Sequence, residues 1–280
     1  MTTDVFEHHR KFLQGVAYRM LGSIAEAEDI VQTAYLRWTT VASTEVADPR
    51  AYLARVVSRL CLDRMKSAAT RRERYVGTWL PEPVVEPADA VVADDLSVAL
   101  LLTLERLSPL ERAAFLLHDV FDMEYAEIAE TLGRTEIACR QLAARGRQRV
   151  REERPRFKPS PEATARLADA FAAALGDGKL DTLADLLAAD AVVYTDGGGK
   201  RTAALNPISG REKVVRFLAG MTRKAVYGQL THLERATING LPGFVIGTAE
   251  GLETISIAIE DDRIATIYVV RNPEKLRHLG

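Results

Sequence analysis

At 280 residues the chain exceeds one typical domain, and 47% hydrophobic with 27% charged residues describes a globular protein with a sizeable core. That composition excludes collagen-like, disulfide-scaffold and wholly disordered classes, and no apolar run approaches the roughly 20 residues of a membrane-spanning helix. The net charge of −2 conceals an uneven distribution. Residues 48–74 carry eight Lys/Arg against three Asp/Glu, residues 134–158 carry nine against three, and residues 82–130 between them carry two against twelve. Two basic patches flanking an acidic stretch suit a chain that touches nucleic acid in two places, although two solvated helix faces would show the same counts. The layout also predicts a closed free state in which the acidic stretch masks the basic ones.

The opening MTTDVFEHHRK leads straight into amphipathic sequence without the apolar core of an export signal, so a cytoplasmic protein is expected. Cys61 and Cys139, the two cysteines, sit in helical patterns and predict reduced, buried thiols with no disulfide and no cysteine-built metal site. No cofactor is implied by any motif.

Phe12, Leu13, Val16, Ala17, Met20 and Leu21 form one helical stripe that stops at Gly22. Ser23 can cap a second helix, in which Ala27, Ile30, Val31, Ala34, Tyr35 and Trp38 recur at helical spacing. Asp48 and Pro49 open a third helix, with Tyr52, Leu53, Val56, Leu60 and Cys61 inward and arginines distributed around it. At Trp79-Leu80-Pro81-Glu82-Pro83 the pattern stops. Three prolines and five acids with no Lys or Arg over residues 81–95 predict an extended linker, with a reach on the order of 50 Å at about 3.3 Å per residue.

Helices resume at about residue 94 and run to 154. Tyr125, Ile128, Ala129 and Leu132 pack a short helix, Gly133 allows a left-handed turn, and Thr135 caps a helix of about 19 residues, which is helix-turn-helix spacing. Cys139, Leu142 and Ala143 face inward on this reading. Glu136, Arg140 and Gln141 are placed to read base edges, and Arg134, Arg145, Arg147 and Arg149 to reach phosphates. A plain helical hairpin with a charged face has the same periodicity.

A second break, Arg154 to Pro161, marks the main boundary. Beyond it two helices (about 161–175 and 179–188), a short strand at 191–194, a glycine loop at 196–200 and a helix at 210–220 precede an alternating sequence at 243–247, 254–259 and 264–270. Asn239-Gly240 and Asp261-Asp262 stand where hairpin turns belong. Helices followed by a meandering sheet make an α+β domain.

Three of these segments resemble one family in order and spacing. Glu28 to Trp38 resembles the core-polymerase-binding helix of bacterial sigma factors. Asp48 to Asp63 resembles their −10 recognition region, and Leu107 to Arg112 with Tyr125 to Arg149 resembles the region that binds the −35 element. The spacing matches the small extracytoplasmic-function group. The C-terminal part is similar to the SnoaL-like, NTF2-like cone that a subgroup of these factors carries, through Trp79–Pro83, through Asp196-Gly197-Gly198-Gly199, and through Asn272-Pro273-Glu274-Lys275-Leu276.

The resemblance implies a multidomain fold: two all-α sigma domains, the second with a helix-turn-helix, then an α+β cone. The expected boundaries are 1–76, a linker at 77–96, 97–154, a second linker at 155–161, and 162–280. It implies binding to the β and β′ subunits of core RNA polymerase through Asp29, Gln32, Tyr35, Leu36 and Trp38, although Tyr35 and Trp38 fit a helical core equally well. Promoter DNA is expected at Arg50, Arg55, Arg59, Arg64, Lys66, Arg71 and Arg72 for the −10 element and at the helix from Thr135 for the −35 element. The Trp79–Pro83, Asp196–Gly199 and Asn272–Leu276 segments are expected to act between domains as a built-in regulator of a monomeric sigma factor. Gly146 departs from the alanine common in relatives and predicts a softened helix.

Two other readings stay open at this stage. A one-component regulator with a helix-turn-helix and a ligand-sensing cone needs no polymerase-binding helix. A catalytic cone would draw on Tyr194, Asp196 and His232, candidates by residue type; the glycine triplet lacks the P-loop spacing, and the protein is not expected to be an enzyme.

Overall fold

Gly22, at a φ of 69°, ends the first helix, and the Ser23 hydroxyl starts the second by accepting from the Glu26 amide at 3.1 Å. In the structure, a computed structural model describing residues 2–40, 46–72, 75–87, 97–153, 160–176, 179–223 and 231–280, α1 is Thr2–Leu21, α2 Ile24–Thr39 and α3 Pro49–Arg72. Asp48 accepts from the Ala51 amide at 3.1 Å, and Pro49 takes the first helical position, where its missing N–H would have no partner in any case. Phe6, Leu13, Val16, Met20, Ile30, Val31, Leu53 and Val57 are buried where α1 packs on α2 and α3.

The next helices are α4 (Val98–Glu105), α5 (Pro109–Phe115), α6 (Tyr125–Leu132) and α7 (Glu136–Glu153), with a π turn over Leu116–Val120 continuing α5. Ser108 and Glu111 form a reciprocal capping box at the start of α5. Gly133 takes the left-handed conformation (φ 62°, ψ 44°) that closes α6, and Thr135 accepts from the Ala138 amide at 3.2 Å to start α7. The helix-turn-helix expected from the sequence is present.

Gly146 also has a packing role that the sequence did not show. A Cβ there would lie 2.8 Å from Phe115 Cβ and 3.3 Å from the Glu111 carbonyl, so glycine is what allows α7 to approach α5 closely. At Gly146 the helix is seated directly on α5.

Arg112 fixes the second set of helices to the first. Its side chain is fully buried, paired with Glu105 at 2.7 Å, and donates to the Met20 carbonyl at the end of α1 at 2.6 Å. By their contacts the two helical sets make one compact unit comprising Met1–Arg74 and Ala99–Arg154.

The second unit comprises Tyr75–Val98 and Pro155–Gly280. Helices α8 (Pro161–Gly176), α9 (Leu180–Leu186) and α10 (Arg211–Arg223) accompany a seven-stranded sheet. Its strands are β1 (Val85–Pro87), β2 (Leu187–Asp196), β3 (Ile208–Ser209), β4 (His232–Ile238), β5 (Leu241–Thr248), β6 (Gly251–Glu260) and β7 (Arg263–Val270). The order is β1-β4-β5-β6-β7-β2-β3, antiparallel except for the β2–β7 pair. Asn239-Gly240 and Asp261-Asp262 turn the hairpins with positive φ throughout, as their sequences predict.

Phe171, Leu183, Val214 and Leu218 of the helices pack on Phe244, Ile246, Ile255, Ile257, Ile267 and Val269 of the sheet. The sheet face under the helices is therefore lined with hydrocarbon. One strand that the sequence did not suggest is β1. It comes from the proline-rich segment read as a linker and pairs with Ala236, Thr237 and Ile238 of β4. The acidic residues 88–96 and the second break at 154–159 lie outside the described residues.

Candidate functional sites

The parallel pairing of β2 and β7 sets Asp196 beside Val270, so the two strands end together. The Asp196 carbonyl accepts from the Arg271 and Asn272 amides at 2.7 and 3.0 Å, which joins the glycine turn to the C-terminal segment. The Asp196 carboxylate is wholly buried and has three donors. Oδ1 accepts from the Tyr75 hydroxyl at 2.6 Å, and Oδ2 accepts from the Leu80 amide at 2.8 Å and from Lys275 Nζ at 2.7 Å. All three contacts are donors to the carboxylate, and one of them carries a formal positive charge.

Lys275 binds both sides of the segment it faces. Its Nζ also donates to the Leu80 carbonyl, and it lies 4.2 Å from the Trp79 ring centroid and 4.9 Å from that of Tyr75. Asn272 Nδ2 donates to the Tyr75 hydroxyl at 2.8 Å. Burial and the hydrogen bond to Asp196 push the Tyr75 phenol well above its ordinary range. Further along, the Val84 amide donates to Asn239 Oδ1 at 3.2 Å, the Asn239 amide donates back to the Val84 carbonyl at 2.9 Å, and His278 Nε2 donates to the Pro83 carbonyl at 2.8 Å.

The glycines make this approach possible. A Cβ on Gly198, at a φ of 59°, would fall 2.2 Å from Asn272 Nδ2 and 3.0 Å from the Tyr75 hydroxyl. One on Gly197 would fall 2.2 Å from the Arg201 carbonyl, and one on Gly199 would fall 3.2 Å from Val76. Trp79–Pro83, Asp196–Gly199 and Asn272–Leu276, distant in sequence, thus meet in one cluster. Within it Leu80, Pro81, Pro83 and Leu276 are buried, Glu82 is half-buried and Pro273 is exposed. The sequence reading missed Tyr75, Asn239 and His278, which lie outside the three motifs; an aromatic four residues before Trp79 was the one available sign of Tyr75.

Tyr194, Asp196 and His232 are not brought together as a catalytic group. Tyr194 stacks on Tyr268 with ring centroids 5.6 Å apart, and His232 is exposed on β4 beside Glu234. Asp196 belongs to the cluster described above.

On α2, Asp29 and Gln32 are exposed, Leu36 is 58% exposed and Tyr35 packs edge-on against Phe6 at 5.0 Å. Trp38, expected among the polymerase contacts, is instead completely buried, 5.8 Å from the Tyr52 ring. The apolar stripe of the helix carries it into the core.

The described basic side chains of α3 are engaged within the unit. Arg50 donates to the Phe121 carbonyl at 3.1 Å and covers the Phe12 ring. Arg55 pairs with Glu130, while Arg59 donates to the Thr131 and Glu130 carbonyls at 3.0 and 2.7 Å. Arg64 lies 3.5 Å from Glu26, and Lys66 pairs with Asp63 at 2.9 Å. The side chains of Arg71 and Arg72 lie outside the described residues.

Along α7, Arg134, Glu136, Arg140, Gln141 and Arg145 are exposed. Arg140 is braced by the Tyr125 ring at 4.4 Å and by Glu136 at 3.5 Å. Arg147, by contrast, forms a two-pronged pair with Asp119 at 2.6 and 2.9 Å, and Arg149 donates to the Arg106 carbonyl at 3.1 Å and lies 3.7 Å from Glu111. Acids from the 82–130 stretch thus contact arginines of both basic patches.

Residues 5–71 match the family Sigma-70 region 2, and residues 97–150 match Sigma-70, region 4. Over 98% of this chain and 93% of its counterpart, the sequence is 41% identical to the ECF RNA polymerase sigma factor SigJ of Mycobacterium tuberculosis.

The chain is an extracytoplasmic-function sigma factor.

A second relative, the probable ECF sigma factor SigI of the same species, is 35% identical over 96% of this chain and 92% of its own length. The crystal structure of the M. tuberculosis sigma factor SigJ matches with a TM-score of 0.81 at 37% identity and covers 98% of both chains. The sigma fold and its C-terminal α+β extension are therefore shared along the full length. The region 2 match also decides between the two regulatory readings, because a one-component regulator has no use for that region. No helix among the described residues of this sigma factor is long and apolar enough to cross a membrane.

Proposed function

We propose that this sigma factor brings core RNA polymerase to promoters in the cytoplasm. On this reading it grips the enzyme through Asp29, Gln32, Tyr35 and Leu36, opens the −10 element with the α3 arginines and reads the −35 element with the start of α7. The cone modulates that activity in cis without a catalytic step. The observation that carries the regulatory part is the Asp196–Lys275 pair closed over Leu80, which secures the chain leaving region 2 to the cone.

The α3 arginines support a masked free state. DNA competes for these guanidinium groups with the Phe121 carbonyl, the Glu130 carboxylate and the Glu130 and Thr131 carbonyls, so promoter engagement requires Arg50, Arg55 and Arg59 to exchange internal partners for phosphates. The hydrocarbon lining of the sheet face supports a structural cone over a ligand-sensing one.

The test is promoter-specific transcription from purified core polymerase with the full chain, a version ending at Lys158, and the Trp79→Ala/Leu80→Ala double variant. Initiation that depends on the full chain, with output changed in the double variant while polymerase affinity holds, is expected. Loss of promoter specificity in every mixture overturns the sigma assignment, and unchanged output from the variants overturns the cis control.

A further inference from the structure

Ile137 is the most exposed of the large apolar side chains among the described residues, at 71%. It stands in the first turn of α7, two residues after the Thr135 cap, and Cys139 and Ala143 hold the opposite face of the helix in the core. Residues 137, 140, 141 and 144 fall at i, i+3, i+4 and i+7, so Ile137 shares one outward stripe with Arg140, Gln141 and Ala144. Arg140 is already oriented by Tyr125 and Glu136, which makes the stripe a shaped surface with a hydrocarbon tip.

In a helix-turn-helix the N-terminal residues of the second helix meet base edges in the major groove. That groove displays a single apolar group, the C5 methyl of thymine. Arginine and glutamine read hydrogen-bonding edges; an isoleucine beside them can gain only from a methyl. A branched aliphatic at this position leaves hydrocarbon in water in the free protein and buries it only against such a partner.

We propose that Ile137 is a specificity-determining residue that reads a thymine methyl group in the −35 element. The inference rests on the assignment of α7 as the −35 reader. It places a T·A pair next to the base pairs contacted by Arg140 and Gln141.

The experiment uses the full chain with core polymerase. Duplexes randomised over the −35 element are selected by the holoenzyme, and each thymine of the selected sequence is then replaced in turn by deoxyuridine, which removes only the methyl. One position is expected to lose roughly four-fold in affinity, the value of one methyl-sized group withdrawn from contact. Ile137→Ala should abolish that penalty and the thymine preference in selection, while Ile137→Val keeps both. The side chain is exposed, so folding is preserved, and an unchanged melting temperature verifies it.

If no deoxyuridine weakens binding, or the penalty persists in Ile137→Ala, the inference is wrong. Arg140→Ala and Gln141→Ala separate the two levels. A selected sequence that shifts with these but not with Ile137→Ala overturns the role of Ile137 alone. A selected sequence unmoved by all three overturns the reading of α7 as well.

Discussion

Asp196 and Lys275 pair at 2.7 Å with both side chains buried, and the Leu80 backbone lies between them, its amide on the carboxylate and its carbonyl on the ammonium. A main-chain unit held from both ends by opposite charges fixes position and direction together. That is how a short stretch of chain without helix or long strand acquires a defined path.

Removing either charge strands the other. Lys275→Met is expected to cost about 3 kcal/mol, the low end for breaking a buried pair, because Tyr75 and the Leu80 amide still serve the carboxylate. Lys275→Met combined with Asp196→Asn should recover part of the loss. Urea denaturation of the full chain measures this, and single variants within 1 kcal/mol of the parent would contradict it.

Tyr75 carries a pH signature. Its folded-state pKa is raised above the ordinary value of 10.0. The stabilisation it confers is therefore fully present below about pH 10 and declines as pH rises beyond it, where the unfolded chain ionises first. Absorbance at 295 nm through an alkaline titration should show a tyrosine component that resists ionisation until the cluster opens. Tyr75→Phe should remove that component.

Gly146→Ala opposes two effects. Helix propensity favours alanine by about 1 kcal/mol, but the new Cβ would enter at 2.8 Å from Phe115 Cβ. Overpacking of this kind costs about 1–3 kcal/mol, so a net loss of stability is expected. A raised melting temperature would refute the seating of α7 on α5.

Gly198→Ala targets the cluster by shape alone. The added methyl meets Asn272 at 2.2 Å in a backbone conformation unfavourable to L residues, so a loss of about 1–3 kcal/mol is predicted. Hydrogen exchange should quicken at the Leu80 and Val84 amides while the α1–α3 core stays protected. Uniform protection would count against the role of the glycine turn.

Arg59 tests the masked state. Arg59→Ala removes two hydrogen bonds to the end of α6 and should destabilise the free chain by about 1–2 kcal/mol, with the site's exposure keeping the figure low. Arg59→Lys should recover less than half, since one ammonium replaces a planar fork that spans two carbonyls. Thermal denaturation of the free protein provides the comparison.

Local chemistry alone determined much of this molecule. Ser23, Asp48, Gly133 and Thr135 mark helix ends by caps and turns that act within four residues, and Asn239-Gly240 and Asp261-Asp262 mark hairpins in the same way. Periods of 3.6 and 2 separated the helical part from the sheet. The stripe that included Trp38 was legible too, but a stripe records which side is apolar and not how far a partner helix covers it, so the burial of Trp38 required the packed core.

The cluster was legible only as fragments. Tyr75 and Asp196 are 121 residues apart, and nothing in either neighbourhood encodes the other. Their meeting depends on the β2–β7 pairing and on a sheet edge at β4 able to accept β1. The same holds for Gly146, whose meaning is the presence of Phe115 across a helix interface, and for Arg147, whose partner Asp119 lies across the fold of the second helical set. Capping, turns and periodicity are short-range and survive in the sequence as patterns. Buried charge pairing and close backbone approach exist only once distant segments share one space, and there the tertiary structure decided.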